Sequence, residues 1–224
     1  MSAKKSKLVI IGDSDFAQIA YEYFTHDSAY EVAGFAVEAA YKKRNELFNL
    51  PIIELEKIEE IFPKNEFSVF VAITYLKLNT VRERIYQGLK QKGYKFANYI
   101  SSRCFFWHNV EIGENNFIFE DNTIQPFVKI GNNNVLWSGN HIGHHSTIAD
   151  NCFISSHVTI SGHCSIGSNS FIGVNCSIAN NVDIGKFNFF SPGSIILKST
   201  GDKEIYKENS TEKSSISADK FFKL

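Results

Sequence analysis

Three of the chain's seven histidines fall within five positions of one another, in the segment GNHIGHHSTIADN at residues 139–151. A neutral imidazole can accept a proton near neutral pH, and it is also a common ligand of transition metals. His141, His144 and His145 therefore fit three interpretations: a metal site, a catalytic base with its neighbours, or exposed polar side chains. The sequence around them carries the information that separates these interpretations.

The histidines lie inside a six-residue repeat that begins near residue 101. Stepping by six from position 112 to position 196 meets a large apolar residue fifteen times in succession, and thirteen of these residues are isoleucine. The residue after each is usually small, and the fourth residue after each is small or medium in size. A repeat of this kind predicts a β-helix, in which one aliphatic side chain per hexapeptide points inward and stacks on the next coil.

The first hundred residues follow a different pattern, in which strand and helix signals alternate. Such alternation predicts a parallel sheet with crossover helices, and therefore a small Rossmann-like domain. The predicted strands are Lys7–Ile11, Glu31–Val37, Phe67–Thr74 and Lys95–Ile100, and helical spacing marks the segments near 16–24, 55–62 and 78–89. The chain thus divides into a Rossmann-like domain at 1–100, a β-helix at 101–200 and a C-terminal tail at 201–224.

Composition excludes several classes of protein and partner. The net charge of −1 gives no overall field that would attract nucleic acid or a membrane surface. The apolar run Leu8–Ile11 is short and is soon followed by Asp13 and Asp15, so it predicts a first strand rather than a signal peptide. The four cysteines include no C-x-x-C pair, which is consistent with thiols in a reducing compartment. We therefore expect a cytoplasmic location.

Over roughly residues 6–200, the two halves together resemble the hexapeptide-repeat sugar-nucleotide N-acetyltransferases of the sialic-acid O-acetyltransferase-like group. The resemblance implies an α/β N-terminal Rossmann-like domain followed by an all-β left-handed parallel β-helix. Three hexapeptides would form one coil, so positions i and i+18 would stack and fifteen repeats would give five coils. The resemblance also implies a homotrimer, with acetyl-CoA as co-substrate lying along the β-helix between two subunits.

The segment IGHHSTIAD at 142–150 matches the catalytic segment of that family, with His144 in the position of the general base. The base would take a proton from a sugar amine as it attacks the thioester of acetyl-CoA. The backbone N–H of Gly162, three hexapeptides further along the chain, would stabilise the oxyanion. Transfer would be direct, and no metal is expected. The family often has an acid after the base, but here His145 follows, which leaves Asn140, Asp150 or a residue of the next subunit to orient His144.

The resemblance also implies further binding residues. The nucleotide part of the sugar would contact the loops after the first three strands, although two acids stand in the first loop and the alternative is a domain that serves only as scaffold. The predicted contacts are Gly12 and Ser14 after strand one, Val37 and Glu38 after strand two, and Thr74 and Tyr75 after strand three. Acetyl-CoA would contact Gly162, Asn180 and Lys198.

His145 and His163 are separated by three hexapeptides and should stack at one corner of the prism. They are candidates for a substrate or CoA contact, for exposed bend residues, or for a metal site. A third ligand is not evident in the same subunit, because residue 127 is Phe and residue 181 is Asn. A metal shared between subunits remains an alternative, as in the carbonic anhydrases built on this fold.

Two further residue patterns have structural interpretations. Cys152, Cys164 and Cys176 occupy the fourth position of the repeat, where small residues are predicted to fill the bend. They follow one another at intervals of two hexapeptides and hence lie on different faces, so they cannot pair. Trp137 and Phe119 are too large for their positions. They indicate either an outward-facing surface, at a trimer interface or sugar cleft, or a contact with the N-terminal domain.

The sequence therefore predicts an acetyl-CoA-dependent N-acetyltransferase that acts on a UDP- or dTDP-linked amino sugar for surface glycans such as lipopolysaccharide. O-acetylation of a sugar such as a sialic acid is the alternative within the same class. A metal-dependent enzyme of the carbonic anhydrase type and a non-catalytic trimeric scaffold are the alternatives from other classes. Neither nucleic acid nor membrane insertion is expected.

Overall fold

A computed structural model describes residues 6–207 and 214–222. The first domain contains six strands: β1 (Ser6–Ile11), β2 (Tyr30–Val37), β3 (Glu46–Leu47), β4 (Leu50–Glu54), β5 (Phe67–Val71) and β6 (Lys95–Phe96). Its helices are α1 (Asp15–His26), α2 (Ile58–Ile61), which follows the 3₁₀ turn Leu55–Lys57, and α3 (Thr80–Gln91). A last short helix, α4 (Ala218–Phe222), lies in the second described range.

The strands of the first domain form one sheet in the order β3-β4-β2-β1-β5-β6. All neighbours are parallel except β3 and β4, which form an antiparallel hairpin that the sequence did not predict. Strand β1 lies between β2 and β5, and its residues Leu8–Ile11 are buried because α1 packs on one face of the sheet and α3 on the other. The predicted Rossmann-like domain is confirmed.

The second domain is a three-sided prism, and each of its faces is a parallel sheet of short strands. The first face contains β7 (Tyr99–Ile100), β10 (Phe117–Ile118), β13 (Val135–Leu136), β16 (Phe153–Ile154), β19 (Phe171–Ile172), β22 (Phe189–Phe190) and β24 (Ile205–Tyr206). The second contains β8 (Phe105–Phe106), β11 (Thr123–Ile124), β14 (His141–Ile142), β17 (Thr159–Ile160), β20 (Ser177–Ile178) and β23 (Ile195–Ile196). The third contains β9 (Glu111–Ile112), β12 (Lys129–Ile130), β15 (Thr147–Ile148), β18 (Ser165–Ile166) and β21 (Asp183–Ile184).

From β7 to β23, successive strands on one face are three hexapeptides apart, as in the pairs Ile124↔Ile142 and Ile142↔Ile160. The isoleucine of each hexapeptide points into the prism, where Ile142 and Ile160 are fully buried. This arrangement confirms the predicted β-helix. Each added coil buries another layer of aliphatic side chains against the one below it, which is why the period of six continues without interruption.

The β-helix is longer than the five coils predicted, because its faces have seven, six and five strands. Ile100 and Phe106 extend the repeat at its beginning. The pair Tyr99–Ile100, predicted as the end of the last strand of the first domain, instead pairs with β10 as the first strand of the prism. At the other end, Ile205–Tyr206 from the predicted tail pairs with β22.

One residue in each hexapeptide turns the corner of the prism with a left-handed backbone. Asparagine and histidine adopt this conformation more readily than most residues, and glycine does so most easily. The corner residues are Asn115, Asp121, Phe127, Asn133, Gly139, His145, Asn151, His157, His163, Asn169, Asn175, Asn181, Phe187 and Gly193. The corner is thus the third residue after each isoleucine, and the fourth, predicted to fill the bend, points inward.

The cysteines follow this corrected register. Cys152, Cys164 and Cys176 are buried free thiols inside the prism, each directly after a left-handed corner. Burial raises the pKa of Cys152 to about 12, so that thiol stays protonated at neutral pH. The predicted structural role of the three cysteines is confirmed.

An aromatic layer joins the two domains. The rings of Trp137 and Phe119 stack with their centroids 4.4 Å apart, and Phe16 of α1 lies 6.4 Å from Trp137. Phe117 packs edge-on against Phe16 and Phe24. Of the alternatives for Trp137 and Phe119, the structure therefore selects the contact with the N-terminal domain.

A buried arginine also joins the two domains. Arg82 of α3 is fully buried, and its guanidinium donates to the carbonyl oxygens of Asn133 and Cys152 in the prism, at 3.1 Å each from Nη2. The same guanidinium donates to the carbonyl oxygens of Ile73 and Thr74. Burial lowers the pKa of Arg82 to about 10.

Within the two described ranges, none of the helices has the length and apolar character required to cross a bilayer.

Candidate active site

The imidazole of His144 lies directly over Gly162, one coil further along the prism. A Cβ atom placed on Gly162 would lie 2.8 Å from Cε1 and 2.9 Å from Nε2 of His144. His144 follows β14 on the prism surface and is exposed, and its backbone N–H donates to Oε1 of Gln125 at 2.9 Å. Only a residue without a side chain at 162 leaves room for the ring, so the stacking predicted from the spacing of three hexapeptides is present.

The backbone N–H of Gly162 is already engaged. It donates to Oδ1 of Asn180, one coil further on, at 2.8 Å. The N–H predicted to stabilise an oxyanion therefore already has an acceptor within the chain, and its role towards an oxyanion stays a prediction. Asn180 itself is exposed, so its carboxamide has room to turn away from Gly162.

The partner of the His144 ring is its neighbour in sequence. Nδ1 of His144 lies 3.1 Å from Nδ1 of His145, and the two rings are nearly perpendicular. The side chains proposed from sequence bind elsewhere: Oδ1 of Asn140 accepts from the N–H of Val158, and Oδ1 of Asp150 accepts from the N–H of Asn132. If His145 accepts the hydrogen bond, the proton of neutral His144 is held on Nδ1 and its Nε2 lone pair is free.

His145 belongs to a stack of three rings at one corner of the prism. Its ring centroid is 4.6 Å from that of Phe127 below and 4.9 Å from that of His163 above. The predicted stacking of His145 on His163 is thus present. Phe127, which the sequence analysis considered only as a missing metal ligand, completes the column.

One prediction about this corner is wrong. A third potential metal ligand does exist in the same chain, because nitrogen atoms of His144, His145 and His163 all lie within 4.8 Å of one another. Residues 127 and 181 share the column of His145 and offer no ligand, whereas His144 reaches the cluster from the neighbouring position. His141 lies apart on the face of the prism, between Thr123 and Thr159.

The first domain carries a separate cleft of about 440 Å³ at the carboxyl ends of β1, β2 and β5. Here the strand order reverses, because β2 lies on one side of β1 and β5 on the other. The cleft is lined by five of the six residues predicted for the nucleotide part of a ligand: Gly12, Ser14, Val37, Glu38 and Thr74. Ser14 is the N-cap of α1, so the positive end of that helix opens at the cleft.

The acids at the cleft are paired with arginines. Oδ2 of Asp13 accepts from Nε of Arg44 at 3.1 Å, and Nη2 of Arg44 also contacts the Asp13 carbonyl. Glu38 accepts a two-point hydrogen bond from Arg84, at 2.8 and 2.9 Å, which lowers the pKa of its carboxyl group. The negative charge that would oppose a diphosphate is therefore offset within the cleft itself.

Two other predicted contacts lie outside these sites. Tyr75 does not line the cleft; its ring packs on the prism, 5.0 Å from Phe153 and 4.8 Å from Phe171 between ring centroids. Thr74, Leu76 and Lys77 on either side of it line the cleft, so only the side chain of Tyr75 is turned to the prism. Lys198 is exposed in the loop that follows β23.

Two family models match the chain. The model described as the PglD N-terminal domain matches residues 7–89. The model described as bacterial transferase hexapeptide (six repeats) matches residues 127–162, a segment that contains His144 and Gly162. No curated protein matches the sequence significantly.

Several solved structures share the fold over most of the chain. The acetyltransferase domain of PglB from Neisseria gonorrhoeae FA1090, in complex with acetyl coenzyme A, has a TM-score of 0.80 and 17% identity, covering 90% of this chain and 95% of that one. PerB from Caulobacter crescentus, in complex with CoA and GDP-perosamine, has a TM-score of 0.80 and 20% identity, covering 89% and 92%. WeeI from Acinetobacter baumannii AYE has a TM-score of 0.70 and 19% identity, covering 88% and 94%.

The two matched models identify the two kinds of domain predicted from sequence, and the shared fold extends across both of them. The chain therefore combines a PglD-type N-terminal domain with a bacterial transferase hexapeptide repeat.

Proposed function

We propose that the protein is an acetyltransferase that moves the acetyl group of acetyl-CoA to the amino group of a nucleotide-linked sugar. The observation that carries this proposal is the exposed His144 imidazole stacked on Gly162, within the segment that matches the transferase hexapeptide model. Acetyl-CoA and a nucleotide-linked sugar are supported as substrates by the ligands of two proteins with this fold, acetyl coenzyme A in PglB and GDP-perosamine with CoA in PerB. The nucleotide in PerB is GDP, whereas the sequence predicted UDP or dTDP.

His144 would act as the general base through Nε2. The attacking sugar amine loses a proton as its nitrogen bonds to the acetyl carbon, and Nε2 accepts that proton. His145 would hold the opposite nitrogen, Nδ1, by accepting its hydrogen bond at the 3.1 Å separation. The tetrahedral intermediate then collapses and the C–S bond breaks, and the CoA thiolate takes up the proton held on Nε2 of His144 and leaves as a thiol.

Asn180 would mark the place of the oxyanion. Its Oδ1 is 2.8 Å from the N–H of Gly162, within the range of about 2.7–3.1 Å for an oxyanion and its donor. When the acetyl carbonyl enters, the exposed carboxamide of Asn180 would turn aside and leave its position to the oxygen that develops charge. Gly162 would then serve as the oxyanion donor, and Asn180 would contact the acetyl-CoA beside it.

The nucleotide would occupy the cleft of the first domain, and the donor would lie on the prism between subunits. The Gly12–Ser14 loop at the start of α1 would face phosphate, while Arg44 and Arg84 balance the nearby acids. Three histidine rings and Phe127, which is 54% exposed, form an open surface that a second copy could cover, which supports the predicted homotrimer. Light scattering of the purified protein would test that assembly.

The decisive experiment is a screen of purified protein with acetyl-CoA and UDP-, dTDP- and GDP-linked amino sugars, following release of the CoA thiol. One of these sugars should be acetylated, and His144→Ala should reduce the rate about 100- to 10,000-fold. His157→Asn is the control, because His157 is also an exposed histidine of the prism and asparagine suits its left-handed backbone. Unchanged transfer by His144→Ala would refute the assignment of the base.

A further inference from the structure

His144, His145 and His163 together offer three nitrogen ligands for a metal ion, whereas proton transfer requires one imidazole. Zn²⁺ binds imidazole nitrogen at about 2.0–2.1 Å, so two imidazole ligands of one tetrahedral ion have nitrogens roughly 3.3 Å apart. The Nδ1 atoms of His144 and His145 are already 3.1 Å apart, and a nitrogen of His163 lies within 4.8 Å of both residues' ligand atoms.

The backbone of the prism holds these rings close together before any ion binds. The N–H of His163 donates to the carbonyl of His144 at 2.9 Å, and the N–H of His145 donates to the carbonyl of Pro126 at 3.2 Å. Phe127 supports the His145 ring from below. An ion would therefore need only side-chain rotations to draw the three nitrogens together, with no rearrangement of the coils.

We propose that His144, His145 and His163 form a binding site for a divalent transition-metal ion, for which Zn²⁺ is the best fit, and that the bound ion inhibits the enzyme. Three neutral imidazoles suit Zn²⁺ and leave one position for water, whereas Mg²⁺ prefers oxygen ligands. The inhibitory part rests on the proposed function: an ion on Nδ1 of neutral His144 leaves the imidazole proton on Nε2, the nitrogen assigned to accept the amine proton.

The binding part is tested without any substrate. Protein freed of metal with EDTA is titrated with Zn²⁺ against a chromophoric chelator, and Co²⁺ is used to record the visible absorption of a tetrahedral site. We expect one Zn²⁺ per chain, at least tenfold weaker binding by His163→Asn, and unchanged binding by His157→Asn. Both variants place asparagine, the commonest residue at the corners, on a left-handed backbone, so each should fold.

Equal Zn²⁺ affinity in wild type and His163→Asn would overturn the site, as would no binding by the wild type. One Zn²⁺ per three chains would also overturn it, since that ratio requires a site shared between subunits. Mg²⁺ should not compete, and competition at equal concentration would contradict the imidazole assignment.

The inhibitory part is read as the ratio of acetyl-transfer rates with and without Zn²⁺, so that a change in basal rate does not matter. Wild type should lose activity over the Zn²⁺ range in which the site fills, and His163→Asn should need at least tenfold more ion. Binding without inhibition would refute the inhibitory part alone. Failure of every sugar in the screen would refute the proposed substrates, while the chelator titration still decides whether the metal site exists.

Discussion

The ring of His144 lies over Gly162 so closely that a single methyl group at position 162 would meet it at 2.8 Å. The left-handed corner of that coil is at His163, so the clash at 162 would arise from the ring rather than from backbone strain. Because the obstructing atoms belong to the end of a side chain, the ring can move aside at little cost in stability.

Gly162→Ala should therefore reduce acetyl transfer about 100-fold while changing the midpoint of thermal unfolding by only a few degrees. The loss follows from displacement of a base that must lie within hydrogen-bond reach of the amine. Gly88→Ala on α3 is the matched control, because a Cβ there meets no atom within 4 Å. A Gly162→Ala enzyme with full activity would show that the ring has no required position.

His145 should prove to be a positioning residue through its acceptor nitrogen. His145→Gly keeps the left-handed backbone and removes the acceptor, so kcat should fall about tenfold with a smaller change in KM. His145→Asn keeps both the corner and an acceptor oxygen, and it should retain most of the wild-type kcat. Equal rates for the two variants would argue against the Nδ1–Nδ1 contact as the orienting interaction.

Arg82 should be essential for the stability of the joined domains. Arg82→Leu leaves buried carbonyl oxygens of both domains without their donor, and we expect a loss of at least about 3 kcal/mol in the free energy of unfolding in urea. Arg84→Leu, on the same helix, breaks an exposed ion pair and should cost no more than about 1 kcal/mol. Similar losses in the two variants would contradict this ranking.

Asp27 should make stability depend on acid pH. Its carboxylate accepts from the hydroxyl of Tyr99 at 2.6 Å and from the N–H of Ser102 at 2.9 Å, and the hydrogen bond from Tyr99 is the main cause that lowers its pKa. Between the lowered pKa and the ordinary value of 3.8, the unfolded chain binds more protons than the folded chain. The contribution of Asp27 is therefore complete above that value and is lost as the pH falls through the folded pKa.

Asp27→Asn should lower the free energy of unfolding by about 1–3 kcal/mol at pH 7 and make its decline in acid shallower. Urea unfolding at pH 7 and at several acid pH values would measure both effects. Asp121→Asn is a suitable control, because Asp121 forms an exposed ion pair with Arg103. If the free energy of unfolding falls equally steeply with decreasing pH in wild type and in Asp27→Asn, the role assigned to this carboxylate is excluded.

The sequence alone determined the β-helix and much of the cleft, because these depend on periodic or local information. Strands of the prism pair with segments three hexapeptides away, so Ile124, Ile142 and Ile160 stack as a direct consequence of their spacing. The family resemblance implied Gly12, Ser14 and Glu38, and these residues line one cleft because the loops after parallel strands meet at one edge of a sheet. The asparagines that recur at the third position after the inward-pointing residue also indicate the left-handed corners, because asparagine adopts that backbone more readily than most residues.

Tertiary structure decided the details that depend on side-chain rotation and on contacts between elements. Spacing brings His144 over Gly162, but it does not show that His145 faces His144 or that Asn180 already accepts the Gly162 N–H. Spacing also does not decide whether Trp137 faces outward or packs on the N-terminal domain, because its partner Phe16 lies in a distant part of the chain. The six-residue period determines which residues share a column. The side-chain torsion angles and the docking of the two domains determine what each residue contacts.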